Sequence, residues 1–342
     1  MDLLTKEVWK DDWREMLDTL RPHRFINSNN WKVGNYVNVL QYKDVFFIEQ
    51  NMNTMFSAEN LNLLEGKNTI PAMLSMDGKK HKDRKVPLNN FLTSPDNINE
   101  IVDSYFEKLD SEYDVHDDLG TKIVMEILDQ YMGIDKKYSD IVTSQIMYFV
   151  INQNEKCVDL YNIISDLYEN PNGLTAITKQ ISQSKEEFIG NMFLLISGFF
   201  TLGSGIELCH LYGNKISHDS DDRFFKEAIR IFSPFTHSIR RSLVDWNGFP
   251  AGTIFVIWFN SANLDPDKFE NPHKFDPFRE NLNNHFGFGF GPHRCLGRHI
   301  SNTVLSRLVY KMRDYVWEVY DYNINRHPSV FIQDLWVSRS KR

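Results

Sequence analysis

The feature that most limits how this chain folds is the stretch from His285 to Gly297, which reads His-Phe-Gly-Phe-Gly-Phe-Gly-Pro-His-Arg-Cys-Leu-Gly. Glycines at alternate positions let the backbone turn sharply and approach a flat object closely. Cys295 stands at the start of a helical pattern, where the helix dipole and free N–H groups favour its thiolate. A thiolate shielded by aromatic rings is a good axial ligand for haem iron. The stretch therefore makes Cys295 a candidate metal ligand.

Two simpler interpretations of this stretch stay open at this point. The run could be a glycine-rich surface loop with Cys295 as an inert buried thiol, which is the commonest fate of a lone cysteine. Alternatively His293, Cys295 and His299 could bind zinc. Structural zinc sites usually take ligands in closely spaced pairs, and no second pair occurs nearby. The haem interpretation is therefore favoured over both.

Helical apolar spacing recurs along most of the chain. It predicts helices over residues 13–20, 45–52, 98–109, 119–131, 138–151, 158–168, 185–212, 221–232 and about 296–316. Alternating or β-branched runs predict strands over residues 31–39 and 253–259. The result is a mainly α chain with a smaller β portion, helix-rich over 77–232. The β-containing parts lie at about 30–75 and 235–285, followed by the candidate ligand loop 285–297 and C-terminal strands. No clear linker interrupts the chain, which predicts a single domain over residues 1–342.

Composition excludes several classes of protein. The chain has 38 Lys and Arg residues against 46 Asp and Glu residues, a net charge of −8, which disfavours nucleic acid as a partner. Three scattered cysteines are too few for a disulfide framework and favour a reducing compartment. The first residues carry charges where a signal peptide needs an apolar run. The most apolar window, 188–206, is interrupted by polar residues and glycines, which disfavours a membrane span. We therefore expect a cytoplasmic monomer.

The pattern Phe288-x-x-Gly291-x-x-x-Cys295-x-Gly297 resembles the haem-binding loop of the cytochrome P-450 family in its soluble bacterial form. The resemblance spans nearly the whole chain, from Trp13 to Trp336. It implies a triangular helical prism with haem b held between a long central helix and the helix that follows the cysteine. It also implies that Cys295 ligates the iron and that Phe288, Gly289, Gly291 and Gly297 shape the haem-binding loop.

A second part of the resemblance is the order of motifs before the cysteine loop. Glu227-Ala-Ile-Arg230 is followed by Asn263-Leu-Asp265-Pro266 and then by Phe275-Asp-Pro277-Phe-Arg279. By itself a Glu and an Arg at i and i+3 carry little information, since exposed helix pairs of this kind are common. In the family order, Glu227, Arg230 and Arg279 would form a buried network that supports the cysteine loop.

The resemblance also implies contacts to the haem propionates. His81 matches a family histidine at the start of the helix that crosses the haem edge, and Lys85 stands where the family has an arginine. Lysine supplies charge without the bidentate fork of arginine, and Arg84 is a competing candidate. The other implied contacts are His293 and Arg240, with a one-residue shift to Arg241 left open. In isolation, a solvated basic helix start explains the 79–85 cluster equally well.

The chain departs from the family above the iron. The family's acid and alcohol on the central helix correspond to Phe200 and Thr201. Thr201 keeps an alcohol that can relay a proton through water, whereas phenylalanine donates none. Either the protons come from substrate or solvent, or the reaction differs from ordinary hydroxylation. A packing role for Phe200 is the simpler alternative.

The chain is also short for the family. Ser197 and Glu227 are only 30 positions apart, and the segment 133–189, where the family places its substrate lid, is compressed. A shortened lid predicts a more open pocket that admits a bulky or carrier-bound substrate. By position, the loop 53–74 and five further side chains are pocket candidates: Phe199, Phe235, Thr236, Ile239 and Trp336. Their aromatic character predicts an apolar or aromatic substrate, although phenylalanine stripes are usually core.

Three functions follow from the resemblance. The first is a haem-thiolate monooxygenase that takes electrons from a ferredoxin or flavodoxin. The basic residues of segment 79–85, together with Arg294 and Arg298, would attract such an acidic partner. The second is a haem-thiolate enzyme of non-standard chemistry, such as oxidative coupling, peroxide use or rearrangement, which Phe200 favours. The third is a non-catalytic haem-binding scaffold.

Overall fold

The fold was determined as a computed structural model that describes residues 2–4, 13–30, 34–59, 71–93, 96–150, 156–326 and 330–342. The helices are α1 (Trp13–Leu20), α2 (Tyr42–Gln50), α3 (Gly78–Leu92), α4 (Ile98–Phe106), α5 (Thr121–Met132), α6 (Ser139–Val150), α7 (Val158–Glu169), α8 (Gly173–Ile181), α9 (Lys185–Leu211), α10 (Asp222–Phe232), α11 (Phe259–Asn263) and α12 (Arg298–Met312). The strands are β1 (Phe25–Asn30), β2 (Gly34–Val39), β3 (Phe56–Ser57), β4 (Glu112–Asp114), β5 (His237–Ser242), β6 (Ile254–Trp258), β7 (Tyr315–Arg326) and β8 (Val330–Lys341).

The longest helix, α9, is the centre of the helical part. The Ser184 hydroxyl caps its N-terminus by accepting the Glu187 N–H. Most of its residues are buried, because α5, α6, α7, α8, α10 and α12 all pack around it. It is long and apolar enough to cross a membrane by length and composition, with a mean hydropathy of 1.7 over an 18-residue window. However, 72% of that window is buried inside the fold, as in the core helix of a soluble protein.

The apolar interior forms two clusters. We call the larger one the helical core; it joins side chains from α3 to α10, α12 and the C-terminal strands. We call the smaller one the sheet core; it joins α1, α2, β2, β6 and α11. The candidate ligand loop contributes to both, since Phe288 packs on the helical core and Phe286 belongs to the sheet core.

Two sheets account for the β portion. The larger has the strand order β1-β2-β6-β5-β3, and only its β2–β6 pair is parallel, with Val37 opposite Phe255. Strand β6 is buried at every residue, which explains its unbroken apolar sequence Ile-Phe-Val-Ile-Trp. The smaller sheet has the order β4-β8-β7, with bulges in the β7–β8 pair.

The prediction of a mainly α chain with a smaller β portion is confirmed. Strand β1, helix α8 and helix α11 were not predicted. The helix predicted over 296–316 ends at Met312, because Tyr315 already begins β7. Residues 31–33 of the strand predicted over 31–39 lie outside the described residues. The division into a single domain stays a prediction.

Candidate functional site

The loop before α12 is folded tightly on itself. The Cys295 N–H donates to the Phe288 carbonyl at 2.8 Å, and the Arg294 N–H donates to Gly291 at 3.2 Å. Gly289 and Gly291 adopt φ angles of +63° and +64°, which favour glycine. A Cβ at Gly291 would also lie 2.3 Å from the Glu49 carbonyl oxygen. The alternating glycines of the sequence are therefore needed for both turning and close approach to α2.

The Cys295 residue is accessible by surface area, whereas Cys157 and Cys209 are buried. Its sulfur lies just before α12, where the backbone N–H groups of Gly297 and Arg298 reach it. Burial raises the pKa of the Cys295 thiol and outweighs these N–H groups, which act in the opposite direction. An accessible thiol that is nevertheless desolvated by surrounding protein is expected where a side chain faces an internal cleft.

A cluster of basic side chains lies beside the loop. The imidazole rings of His81 and His293 stack with their centroids 4.2 Å apart. Burial, together with the positive charge of neighbouring groups, lowers the pKa of His81 to about 3. Asp77 Oδ1 lies 3.4 Å from His293 Nε2. Burial acts to raise the pKa of Asp77, but His293, the Ser57 hydroxyl and the Ala58 N–H outweigh it and hold that pKa at about 2.

Arg240 joins this cluster from β5. It is 4% exposed, and its Nε and Nη2 lie 2.9 and 2.7 Å from Glu49 Oε1. Its Nη1 donates to the Ser238 hydroxyl at 2.6 Å. Successive side chains of a strand point to opposite faces, so the neighbouring Arg241 does not share this side of β5. The structure therefore places Arg240, not Arg241, beside the two histidines.

Lys85 and Arg84, the two candidates for one propionate contact, have different partners within the protein. Lys85 Nζ donates to the carbonyl oxygens of Pro292 and Arg294 at 2.6 and 2.5 Å. Burial lowers the pKa of Lys85, and the nearby Cys295 acts in the opposite direction. Arg84 is turned away towards α9, where its Nε donates to Glu187 Oε1 at 2.8 Å. Arg84 therefore does not belong to the cluster formed by His81, His293 and Arg240.

Glu227, Arg230 and Arg279 come together in the structure. Glu227 and Arg230 have fully buried side chains on α10, with Nε and Nη2 of Arg230 donating to the carboxylate at 2.7 and 2.8 Å. Arg279 Nε lies 3.2 Å from both carboxylate oxygens, and the Asp276 N–H donates at 3.0 Å. One carboxylate thus accepts from two guanidinium groups and one backbone N–H.

The network reaches the cysteine loop through a residue whose role the sequence analysis missed. Arg230 Nη1 and Nη2 donate to the carbonyl oxygens of Asn263 and Pro272, both at 2.7 Å. The fully buried Asn263 side chain accepts the Phe286 N–H at 2.7 Å and donates to the Ser233 hydroxyl at 2.7 Å. Asn263 therefore connects the buried charges to the start of the loop.

Glu49 is a second residue that the sequence analysis missed. It shares a buried face of α2 with Val45 and Ile48, and only 1% of it is exposed. The spacing of Glu49 from Val45 and Ile48 could have predicted a buried carboxylate on this helix face, and a buried charge needs a partner. That partner is Arg240.

One stripe of α9 is open although most of the helix is buried. Gly198 is exposed, Ser197 and Thr201 are half-buried, and a Cβ at Gly198 would meet no atom within 4 Å. The Thr201 hydroxyl donates to the Ser197 carbonyl at 3.0 Å. Phe200 is half-buried against the helical core, and Phe199 is 5% exposed.

The remaining pocket candidates are dispersed. Phe235 is 45% exposed and lies beside His237, whereas Thr236 is buried. Ile239 packs against the sheet core. Trp336 is 42% exposed in β8, in register with Asp114 and Asp321. Residues 60–70 of the loop 53–74 lie outside the described residues. The pocket stays a prediction.

These features fit a flat anionic cofactor such as haem. The Cys295 thiol offers a soft ligand at the start of α12, and α12 packs directly on α9, with Leu305 3.1 Å from a Cβ built at Gly205. The stripe at Gly198 has room for a flat group. The His293 side chain is 1% exposed; Asp77 lies 3.4 Å from its Nε2, and its Nδ1 has no hydrogen-bond partner among the described residues. An unsatisfied buried nitrogen of this kind suits a carboxylate partner.

A candidate cysteine ligand on a tight glycine loop, beside a long buried helix and a basic cluster, is the arrangement expected of a haem-thiolate protein. Comparison with known proteins shows which proteins of this class the chain is similar to. The family model described as Cytochrome P450 matches residues 222–318. Cytochrome P450 119 of Sulfurisphaera tokodaii is 25% identical over 228 residues, which is 59% of this chain and 61% of that relative. Cytochrome P450-terp of a Pseudomonas species is 36% identical over 83 residues, which is 23% of this chain and 19% of that relative.

Solved structures match over almost the whole chain. CYP153D17 from Sphingomonas sp. superposes with a TM-score of 0.86 at 20% identity, covering 99% of both chains. P450BioI in complex with a hexadec-9Z-enoic acid ligated acyl carrier protein superposes with a TM-score of 0.81 at 16% identity, covering 98% of this chain and all (100%) of that one. The cytochrome P-450 fold predicted from the sequence is confirmed. In sequence, the similarity to the Cytochrome P450 family model covers residues 222–318, and in fold the similarity to cytochrome P450 structures covers almost the whole chain. The matched segments span less than two thirds of these two sequence relatives.

Proposed function

We propose that the protein is a haem-thiolate monooxygenase. It oxidises a small or medium apolar or aromatic substrate with O2, using electrons from a ferredoxin- or flavodoxin-type partner, in the cytoplasm and in the biosynthesis of specialised metabolites. The observation that carries the proposal is the Cys295 thiol at the start of α12, reached by the N–H groups of Gly297 and Arg298 and held in a loop that is hydrogen-bonded to a buried charge network. The match of residues 222–318 to the Cytochrome P450 family model and the similarity of the fold to cytochrome P450 structures support it.

The residues of the chain have two kinds of role, binding the cofactor and positioning the cysteine loop. Cys295 would supply the thiolate ligand to the iron, and His81, Arg240 and His293 would hold the carboxylates of the cofactor by charge and hydrogen bonding. Bound haem b supplies the electron-transfer and O2 chemistry, while the protein supplies orientation and a dry site. Glu227, Arg230 and Arg279 fix the loop that carries the ligand.

The oxygen side of the site has an alcohol without a neighbouring acid. Thr201 can orient a water molecule from the open stripe of α9. Phe200 contributes no proton, which is the observation that favours the second candidate function, a haem-thiolate enzyme of non-standard chemistry such as oxidative coupling, peroxide-dependent oxidation or rearrangement.

The proposed electron donor approaches the cysteine side of the fold. Exposed Lys79, Lys80 and Lys82 lie on α3, and Arg294 and Arg298 flank Cys295, in a chain whose net charge is −8. A local basic face in an acidic protein attracts an acidic partner. The fold relative that binds an acyl carrier protein makes a carrier-bound substrate a second option beside a free small molecule.

The absorption spectrum of the reduced protein with carbon monoxide tests the proposal. Wild type and a Cys157→Ala control are expected to show a thiolate-type band near 450 nm, and Cys295→Ala is expected to lose it. A colourless protein after expression with added haemin would overturn the proposal.

A surrogate ferredoxin chain then distinguishes the candidate functions. Nicotinamide consumption in proportion to product supports a monooxygenase, and product formed with peroxide alone supports the second candidate. A normal band with no turnover of any compound that shifts the resting spectrum indicates a scaffold.

A further inference from the structure

Lys85 lies four residues after His81 on α3, so both side chains can reach the same side of the helix. The resemblance implies that both bind a haem propionate. The structure gives them different contacts. His81 stacks on the His293 ring, whereas Lys85 donates to backbone carbonyls of the cysteine loop.

The contact of Lys85 with the loop is made at two points. Its ammonium donates to the Pro292 carbonyl at 2.6 Å and to the Arg294 carbonyl at 2.5 Å. An ammonium group has three donors, so two of them are committed to the loop. In the described part of the chain, no other donor contacts these two carbonyl oxygens.

The two carbonyls belong to the segment that sets the position of Cys295. Pro292 and Arg294 stand on either side of His293, immediately before the cysteine. The Arg294 and Cys295 N–H groups already bond within the loop, to Gly291 and Phe288. Those bonds fix the N–H side of the segment, and Lys85 fixes its carbonyl side.

We infer that Lys85 is a positioning residue that clamps the cysteine loop onto α3, and that it is not a ligand of the haem propionates. The inference rests on the proposed function for its link to haem, while the clamp itself stands on the two distances. Lysine supplies a compact point charge with three donors, whereas arginine would present a planar fork to the same two carbonyls. The departure from the arginine of the family thus has a structural consequence.

Hydrogen exchange of the loop amides in the haem-loaded full chain tests the clamp. In Lys85→Met, the amides of Gly289, Arg294 and Cys295 are expected to exchange about tenfold faster, since charge-assisted hydrogen bonds to the loop are lost. Lys85→Arg is expected to speed exchange as well. The control Lys82→Met makes the same change at an exposed site of the same helix and is expected to leave exchange unchanged. Wild-type exchange in Lys85→Met would overturn the inference.

Haem retention distinguishes the clamp from propionate binding. The full chain is loaded with haemin or with haemin dimethyl ester, which lacks both carboxylates, and conversion of the 450 nm band to 420 nm in the reduced, carbon monoxide-bound state is timed. We expect Lys85→Met to speed conversion several-fold with either haem. An effect that disappears with the dimethyl ester, or a Lys85→Arg variant that retains haem better than wild type, would assign Lys85 to a propionate instead.

The two proposals fail in different ways. If wild type lacks the 450 nm band, the proposed function is wrong, and the same exchange comparison made on the haem-free full chain still decides whether Lys85 clamps the loop. If wild type has the band but Lys85→Met exchanges and converts like wild type, only the assignment of Lys85 is wrong.

Discussion

Arg230 donates to the backbone carbonyl of Asn263 at 2.7 Å, and the side chain of Asn263 accepts the N–H of Phe286. This relationship gives the buried charges of α10 a direct path to the loop that carries Cys295. A buried ion pair is not by itself a source of stability, because desolvation offsets much of the attraction between the charges. The path explains instead why charges are held at a fully buried position: they fix the geometry of a backbone segment on which the candidate ligand depends.

Glu227→Gln is the first test of this network. Replacing the carboxylate leaves the guanidinium groups of Arg230 and Arg279 buried without a counter-charge, which costs about 3–5 kcal/mol of unfolding free energy. Urea unfolding of the haem-loaded protein measures the loss. The matched control is Glu280→Gln, an exposed position next to Arg279, which should change stability by less than about 0.5 kcal/mol. Equal losses in both variants would contradict the network.

Asn263→Ala tests the connection to the loop separately. It strands the Phe286 N–H and the Ser233 hydroxyl in a fully buried place, at a cost of about 1–3 kcal/mol. The loop should loosen as well, so the 450 nm band of the carbon monoxide complex should convert to 420 nm faster than in wild type. The exposed Asn283→Ala serves as the control. A destabilised Asn263→Ala protein with wild-type conversion would show that Asn263 stabilises the fold without fixing the loop.

Local periodicity predicted most helices because their burial follows their sequence. Helix α1 has the predicted bounds, and α9 ends one residue before its predicted end. Helix α8 was not predicted, because the turn residues Asn170-Pro-Asn-Gly obscure the apolar spacing at its start. Its start is fixed by a capping box between Asn172 and Thr175, which is a local signal that could have been used.

Strand β1 could not be predicted from its own residues. Its sequence, Phe-Ile-Asn-Ser-Asn-Asn, carries several residues that are disfavoured in strands. It forms because β2 supplies a partner, with Phe25 opposite Val39 and Asn30 opposite Gly34. Pairing across a hairpin therefore outweighs intrinsic preference here.

The site shows the same division between local and long-range information. The glycine pattern predicted the turns at Gly289 and Gly291, because a left-handed φ is a local requirement. The partner of Lys85 is more than two hundred positions away in sequence, and only the tertiary fold shows which carbonyls it reaches. Spacing on a helix places a side chain on a face, but it does not identify what packs against that face.

Restoring an acid beside Thr201 tests the chemistry of the oxygen side. Phe200→Asp should raise the yield of product per nicotinamide consumed about tenfold if the missing proton donor limits an ordinary monooxygenase. Thr201→Val should lower the yield. The assay uses a surrogate ferredoxin chain and a compound that shifts the resting spectrum. Phe200→Leu removes the ring without adding a donor and is the control. If the leucine variant couples as well as the aspartate variant, space rather than proton supply limits the reaction.

The last prediction concerns pH and a histidine remote from the cysteine loop. His210 is fully buried on α9, with Nε2 2.8 Å from the Tyr113 hydroxyl and Nδ1 2.9 Å from the Ile206 carbonyl. Because Nδ1 can only donate to a carbonyl, neutral Nε2 accepts from the tyrosine. Burial lowers the pKa of His210 from 6.5 to about 4.

The unfolded chain therefore binds a proton at His210 below pH 6.5, whereas the folded chain binds it only below about pH 4. Stability is lost as the pH falls through this window, by about 2 kcal/mol between pH 7 and pH 5 for this one group. Urea unfolding at the two pH values should show that loss in wild type and in the exposed control His218→Gln, and a smaller one in His210→Gln. An unchanged difference in His210→Gln would mean that His210 titrates normally and that its two hydrogen bonds do not hold it neutral.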